Sequence, residues 1–208
     1  MVTISSVLSL SISLLGGQPD PAWVEAGAAN VHVDGRRATL LRTVRRDGVN
    51  TALGGEHVSR LHADDGRLQG YARMSTEMRS GATLPREQQA RDVALQVLRR
   101  HAPDLLDAHR VHWVAPHDET IRVAADGAQR EITLRGMKVK MRATEGSRLW
   151  FWVIVGPEQQ VMVFERDIYW VTMPGHRRTE KWLHDDWLAQ RPEVRAVLLG
   201  QASERGLR

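Results

Sequence analysis

The nine histidines of this chain are the residues most able to hold a metal ion. His109 and His112 are three positions apart, so in a strand they point to opposite faces. His57 and His62 are five positions apart and diverge in the same way. The H-E-x-x-H motif of zinc proteases is missing. We therefore predict no metal site and no cofactor.

A nucleophilic catalytic site is equally hard to assemble. The chain has no cysteine, so it has no thiolate nucleophile, no thiolate metal ligand and no disulfide. No serine lies in a G-x-S-x-G elbow, and no glycine-rich phosphate loop is present. The adjacent carboxylates Asp64 and Asp65 suit a turn, and Asp185 and Asp186 suit a helix surface. The sequence predicts no catalytic residue, and an enzyme of unrecognised type stays as an alternative.

A tryptophan-rich strand beside a basic strand offers binding chemistry instead. Trp150 and Trp152 lie in one apolar run, and Lys138, Lys140 and Arg142 alternate along the preceding strand. One interpretation is an aromatic face that contacts a partner, with the three cations as its charged border. The other interpretation is structural: the indoles bury large areas in the core, and the basic stripe is a solvated outer face. Both stay open at this point.

The overall charge does not indicate a nucleic-acid partner. The chain has 29 basic and 25 acidic residues, and its net charge of +4 is too small to indicate nucleic acid by itself. The hydrophobic content of 42% is that of an ordinary globular protein. Binding of a polyanion through the basic strand face is a second alternative. A steep fall of affinity with salt would distinguish it.

The strands that carry these residues form an antiparallel stretch over residues 129–170. The middle strand, residues 149–155, is apolar on both faces and requires cover on both sides. In the strand before it, the apolar pattern changes parity between Leu134 and Met137. One extra residue at Gly136 would return both side chains to the same face. We therefore predict a β-bulge at Gly136.

The first half of the chain predicts a meander followed by a helix. Residues 31–78 contain short strands separated by Asp-Gly turns. A helix is predicted over residues 83–101, with Thr83 as its cap and Pro85 in its first turn. Pro103 should end it by residue 102. Its apolar residues have the spacing of one buried face, namely Ala90, Val93, Ala94, Val97, Leu98 and His101.

A helix is predicted over residues 180–190, between a threonine cap and a proline. A short apolar helix over residues 193–199 is predicted to follow it. The helix over residues 83–101 can cover only one side of the strand 149–155. We therefore expect Trp182, Leu183 and Trp187 to dock on the other side. On this hypothesis Trp187→Ala destabilises the fold strongly, whereas Arg177→Ala in the preceding loop changes little.

Residues 1–17 contain an apolar, serine-rich segment with two interpretations. One is an export signal that is removed, with a short apolar region and no basic residue before it. The other is a strand, because Leu8, Leu10 and Ile12 alternate with serines. The first places the protein outside the cytoplasm, and the second is compatible with a cytoplasmic location. No stretch reaches the ~18–20 apolar residues that span a bilayer.

The order of these elements resembles the PepSY type of domain. Residues 62–74 read HADDGRLQGYARM: a strand end, an acidic-glycine turn and a second strand before the helix. The helix opens with TLPREQQA, and residues 148–164 resemble a second copy of the hairpin. The resemblance covers residues 38–171 and leaves residues 174–208 outside the pattern. It implies a cystatin-like α+β fold and a non-catalytic module outside the cytoplasm, as in protease propeptides and inhibitor-like proteins.

We predict an α+β fold: a mainly antiparallel sheet with one long central helix and a C-terminal helix packed on it, of cystatin-like or PepSY-like type. Residues 1–28 are a signal or an N-terminal strand. Residues 29–102 form a meander plus helix, and residues 103–208 form a sheet plus C-terminal helix, either separate or as one continuous domain. The predicted function is a non-enzymatic binding or inhibitory module for a protein partner, contacted through Lys138, Lys140, Arg142, Trp150 and Trp152.

Overall fold

The computed structural model describes Leu15 and residues 20–125, 127–171, 173 and 175–199. The predicted signal or strand at residues 1–17 therefore lies outside the described residues, except for Leu15. Leu15 is buried, and its carbonyl oxygen accepts a hydrogen bond of 3.1 Å from Nη2 of Arg60. No helix in this described part of the chain is long and apolar enough to cross a bilayer.

Among the described residues, strands are more abundant than helices, and there are three α-helices. The strands are β1 (Trp23–Val33), β2 (Arg36–Arg45), β3 (His57–Ala63), β4 (Leu68–Met74), β5 (His109–Ala125), β6 (Ala128–Ala143), β7 (Trp150–Val155), β8 (Val161–Ile168), β9 (Trp170–Val171) and β10 (His176–Arg177). The helices are α1 (Glu87–His101), α2 (Asp185–Ala189) and α3 (Pro192–Leu198). The predicted α+β class with a mainly antiparallel sheet is confirmed.

Eight of the strands form one antiparallel sheet in the spatial order β1-β2-β3-β4-β8-β7-β6-β5. It consists of two four-stranded meanders, β1–β4 and β5–β8, which meet where β4 pairs with β8. The predicted Asp-Gly turns close the hairpins. At the first turn, Asp34 and Gly35 both have positive φ, 49° and 76°, which suits the right-handed twist of the strands on either side.

Helix α1 covers one side of the sheet, over β6 and β7. Its buried residues are those predicted except for half-buried His101, and it ends at His101 before Pro103 as expected. Its start is corrected, because Arg86 and not Thr83 is the N-cap residue. The side chain of Gln89 accepts a hydrogen bond of 2.9 Å from the backbone N–H of Arg86. Arg86 itself has extended backbone, with φ −65° and ψ 159°, so the helix begins only at Glu87.

The predicted bulge at Gly136 is wrong. Strands β5 and β6 stay in register from Trp113 and Lys140 to the end of the hairpin, and Gly136 pairs with His117. The change of parity has another cause: the two halves of β6 bury opposite faces. Leu134 belongs to the core under the C-terminal segment, by which we mean residues 180–199, and the core under α1 contains Val139.

The C-terminal segment covers the opposite side of the sheet from α1. Trp182, Leu183 and Trp187 are buried together with Trp152 and Ile154, so the predicted docking is confirmed. The predicted helix over residues 180–190 is too long, because α2 contains only Asp185–Ala189. Trp182 and Leu183 lie before this helix. Helix α3 then packs against β1. The sheet therefore lies between two covering layers.

Candidate functional site

The five residues predicted to contact a partner come together on one face of the sheet. In β6, Lys138, Lys140 and Arg142 alternate with residues that face α1, so the three cations point to the other side. In the neighbouring β7, Trp152 pairs with Lys140 and Trp150 pairs with Arg142. Directly opposed residues of two paired strands share a face. The register of β6 and β7 therefore assembles the predicted set.

Lys140 lies among three indole rings. Its Nζ atom is 4.2 Å from the ring centroid of Trp170, 4.6 Å from that of Trp150 and 5.6 Å from that of Trp113. The negative faces of aromatic rings attract an ammonium group at such distances. Lys140 is 8% exposed, and burial lowers the pKa of its ammonium group. The three rings therefore replace part of the water that a lysine normally keeps.

Two of these rings, Trp113 and Trp170, were not among the predicted site residues. A register shift in β5 between Val111 and Trp113 brings Trp113 opposite Lys140. Trp170 begins the short strand β9, directly after β8. The alternation of cations along β6 indicates the correct face. The sequence carries no clear signal for a register shift in one strand or for the path of a two-residue strand.

The cations of this face form no ion pair with a carboxylate of the described residues. Within the described ranges, no carboxylate lies within 4 Å of the charged atoms of Lys138, Lys140 or Arg142. Arg42, in contrast, is fully buried and binds both carboxylate oxygens of Asp185. We call this face the aromatic–basic surface and define it by Trp113, Lys138, Lys140, Arg142, Trp150 and Trp170. No ion pair within the described residues neutralises its positive charge, although Glu165 and Glu119 act on Lys138 from beyond 4 Å.

Lys138 is the member of this surface with the most altered proton affinity. Its Nζ atom lies 4.0 Å from the ring centroid of Trp152. Burial lowers the pKa of Lys138 to about 8, although the carboxylates of Glu165 and Glu119 act in the opposite direction. An ammonium group with this pKa is partly deprotonated at mildly alkaline pH. Lys138 is therefore the side chain here that would serve best as a base.

Trp152 belongs to the core beneath the surface. It is 4% exposed, and its Nε1 donates a hydrogen bond of 3.0 Å to Oε2 of Glu165. Glu165 also accepts hydrogen bonds from Nη1 of Arg177, at 2.9 Å to Oε1 and 3.0 Å to Oε2. The side chains of Glu165 and Arg177 are 2% and 5% exposed. The expectation that Arg177 is a tolerant loop residue is therefore corrected: β10 brings it into the interior, where it neutralises Glu165.

A second polar group lies on β5 near Lys138. Oε1 of Glu119 is 3.2 Å from Nε2 of His117, and its Oε2 is 3.8 Å from Nδ1 of His184. Burial raises the pKa of Glu119, but the hydrogen bond and charge of His117, together with the charges of His184 and Lys138, lower this pKa overall. The described residues contain no group of three or more potential ligands able to hold a metal ion. The histidines are placed here as partners of a carboxylate.

Exposed aromatic side chains lie at the margin of the aromatic–basic surface. Trp113 is 36% exposed, and Tyr169, the neighbour of Trp170 in the chain, is 48% exposed. The guanidinium carbon of Arg178 lies 5.8 Å from the ring centroid of Tyr169. Tryptophan, tyrosine and arginine are the residue types enriched at the centres of protein–protein contacts. The composition of this region is therefore that of a contact surface.

The chain can also be compared with other proteins. No family model, curated protein or solved structure matches it. The functional assignment therefore rests on the aromatic–basic surface, where unneutralised cations lie beside partly exposed indoles. Such a surface can bind an anionic group and bury an apolar one next to it.

Proposed function

We propose that this chain is a non-enzymatic, PepSY-like binding or inhibitory module that acts on a protein partner through the aromatic–basic surface. The observation that carries the proposal is the position of Lys140. Its ammonium lies among three indoles, and no carboxylate of the described residues is within 4 Å. Because buried charges are normally paired, a carboxylate of the partner would complete this site. The indoles supply the apolar area that a protein contact needs.

The finer fold assignment belongs to the same proposal. In a cystatin-like arrangement, one helix packs across an antiparallel sheet whose strands come from both sides of that helix in the chain. The position of helix α1 supports this assignment, because β4 precedes it in the chain, β5 and β6 follow it, and all three strands belong to one sheet. As a PepSY-like module, the protein would act outside the cytoplasm.

Binding of a polyanion through β6 is the second candidate, and the unneutralised cations favour it. Polyanions are bound by several exposed cations along a chain of phosphates or sulfates. Here Lys140 is 8% exposed and Lys138 is half-buried, so a single acidic side chain that inserts beside the rings suits these charges better than a row of phosphates or sulfates. A protein partner with both carboxylates and apolar side chains would contact the partly exposed rings better than a polyanion would.

The test is quantitative capture of partners from the native host, using the full chain as bait. We expect one protein to be retained in a fixed ratio by the wild type and lost with Trp113→Ala and with Arg142→Ala. Arg36→Ala is the matched control, because Arg36 is exposed and lies in β2, in the other meander. Circular dichroism would verify that all three variants are folded.

Two results would contradict the proposal. One is capture that all three variants retain equally, which would place the contact elsewhere. The other is retention of nucleic acid or sulfated polysaccharide whose affinity falls linearly with the logarithm of salt concentration, which would support the second candidate. A protein contact with one or two ion pairs would show a much shallower salt dependence.

A further inference from the structure

The Lys138 amine lies half-buried on β6 and is not fixed by an ion pair. Its Nζ atom is 4.0 Å from the ring centroid of Trp152, so an indole replaces water on that side. Within the described ranges, no carboxylate lies within 4 Å of this nitrogen. The residue directly opposite in β5 is Ala115, whose side chain is a single methyl group. The β5 side of the amine therefore offers little steric hindrance to a small molecule.

The surroundings of Lys138 keep its amine reactive near neutral pH. Burial lowers its pKa to about 8. The carboxylates of Glu165 and Glu119 favour its ammonium form, and the cations of Lys140 and Arg177 disfavour it. At pH 8 about half of such amines are unprotonated, against fewer than about 1 in 100 for an ordinary lysine. A desolvated lysine beside a second cation is an arrangement that activates amine nucleophiles.

Lys140 supplies the charge that would select a ligand for this amine. It lies two residues further along the same face of β6, about 6.6 Å from Lys138 between Cα atoms. Its ammonium contacts three indoles and forms no ion pair within the described residues. Buried charges normally have a partner of opposite sign. A ligand that reacts with Lys138 is therefore favoured if it carries an anionic group next to its reactive carbon.

We propose that Lys138 forms a reversible imine with a 2-oxo acid, whose carboxylate pairs with Lys140. In a 2-oxo acid the carboxylate is bonded directly to the carbonyl carbon, so one short molecule reaches both side chains. This activity goes beyond the proposed function, because it needs no protein partner.

The reaction forms one bond to Nζ of Lys138 and releases one molecule of water. The unprotonated amine attacks the carbonyl carbon, and a proton moves from the nitrogen to the oxygen to give a carbinolamine. The hydroxyl group then takes a proton from an acid and leaves as water, while the nitrogen lone pair forms the C=N double bond. The product is a positively charged iminium, and addition of water reverses the reaction.

His117 is placed to donate the proton for the departure of water. It pairs with Gly136 of β6, so it is a diagonal neighbour of Lys138 on the same face. Such neighbours lie about 7–8 Å apart, within reach of long side chains. Nε2 of His117 is 3.2 Å from Oε1 of Glu119, and the side chain is 34% exposed. The imidazole is therefore held in position and still exchanges protons with water.

The test uses glyoxylate, the smallest 2-oxo acid, with the full chain and with cyanoborohydride to reduce the imine to a stable amine. Peptide mass spectrometry then measures the rate of modification at each lysine. At pH 8 we expect Lys138 to react at least about 10-fold faster than exposed Lys181, the control in the same molecule. The rate at Lys138 should level off above about pH 8, whereas the rate at an ordinary lysine rises to about pH 10.

The anionic class of the ligand is tested with neutral propionaldehyde under the same conditions. The ratio of the rates at Lys138 and Lys181 cancels the different intrinsic reactivities of the two aldehydes. We expect this ratio to be several-fold higher for glyoxylate. Lys140→Met keeps the length of the side chain and removes its charge, so it should abolish the preference. His117→Gln should slow the reaction at Lys138 and leave Lys181 unchanged, and thermal unfolding would verify that both variants are folded.

Equal rates at Lys138 and Lys181 would overturn the proposal, as would equal ratios for the two aldehydes or a preference that survives Lys140→Met. An unchanged rate in His117→Gln would overturn the role of this histidine. The failure of the proposed function is distinguishable from these results, because the reaction is measured without a partner. Arg142→Ala should lose the captured protein and still react with glyoxylate at the wild-type rate.

Discussion

A Cβ atom on Gly70 would lie 2.2 Å from Cη2 of the Trp182 indole, so this ring rests directly on the backbone of β4. A glycine inside a strand normally weakens it and often marks a place where another group approaches the backbone closely. Trp182 is buried and lies just before α2. The contact therefore fixes the start of the C-terminal segment on the sheet.

Gly70→Ala should loosen this segment. Insertion of a methyl group into a packed contact forces side chains or backbone to shift, so we expect unfolding by urea to show a loss of about 1–3 kcal/mol. Trp182→Phe removes the ring atoms nearest to the new methyl group. The same Gly70→Ala change should therefore cost less in the Trp182→Phe background. Equal costs in the two backgrounds would contradict the contact.

Arg177→Ala should destabilise the protein by about 3–5 kcal/mol, because it leaves the buried carboxylate of Glu165 without its cation. Arg178→Ala is the matched control: it removes the same side chain one position later, where the contact is a stack on exposed Tyr169. We expect thermal unfolding to show a large fall in Tm for the first variant and almost none for the second. Equal melting temperatures would mean that the Glu165–Arg177 pair is unimportant for stability.

Leu134 and Arg177 show which features of the fold local sequence predicts and which depend on the tertiary arrangement. Local patterns predicted the hairpin turns, the helix after the first meander and the sheet class, since these depend on turn residues and on spacing along the chain. The parity change after Leu134 was visible, but its cause was not. It reflects two covering layers on opposite sides of one strand, which only the tertiary arrangement defines.

The candidate site was likewise predictable only where local alternation along a strand determines it. Alternation along β6 predicted that Lys138 and Lys140 share a face, and the register with β7 adds their tryptophans. Trp113 was missed because a register shift in β5 brings it opposite Lys140. The role of Arg177 was missed because it lies in β10, which pairs only with the short strand β9. A short strand such as β10 has too few residues to show a pattern. Burial of an arginine from such a strand cannot be predicted from local spacing.

Trp187→Ala should cost about 3–5 kcal/mol, the usual loss for truncating a large buried aromatic side chain. Trp187 belongs to the core under the C-terminal segment, where it is 6% exposed. Trp113→Ala is the paired variant, since Trp113 lies at the surface. We expect urea unfolding to show a large loss for the first tryptophan and a small one for the second. A folded, fully stable Trp187→Ala protein that has lost its partner would make this segment a recognition element instead.

Stability should fall as the pH decreases from about 6.5 to 4, because of buried His57. Burial, with help from Arg42, lowers the pKa of His57 to about 4 in the folded state, whereas an unfolded histidine titrates near 6.5. Between these values the unfolded chain binds a proton that the folded chain does not. The stability from neutral His57 is therefore complete above pH 6.5 and lost toward pH 4, by up to about 3 kcal/mol.

The measurement is Tm as a function of pH for the wild type and for His57→Gln. Burial also lowers the pKa of His101 to about 4, so His57→Gln should reduce the slope between pH 6.5 and 4, and adding His101→Gln should reduce it further. The slope that remains below about pH 5 belongs to carboxylates such as Glu119, whose pKa is lowered in the folded state. Asp185 does not account for the loss in this range. Burial raises its pKa, but His57 and Arg42 lower it to about 2, so Asp185 stays ionised down to that pH. His176→Gln, at an exposed position, is the control that should keep the wild-type slope. An unchanged slope in the double variant would assign the pH dependence to other groups and would show that neutral His57 is not required for folding.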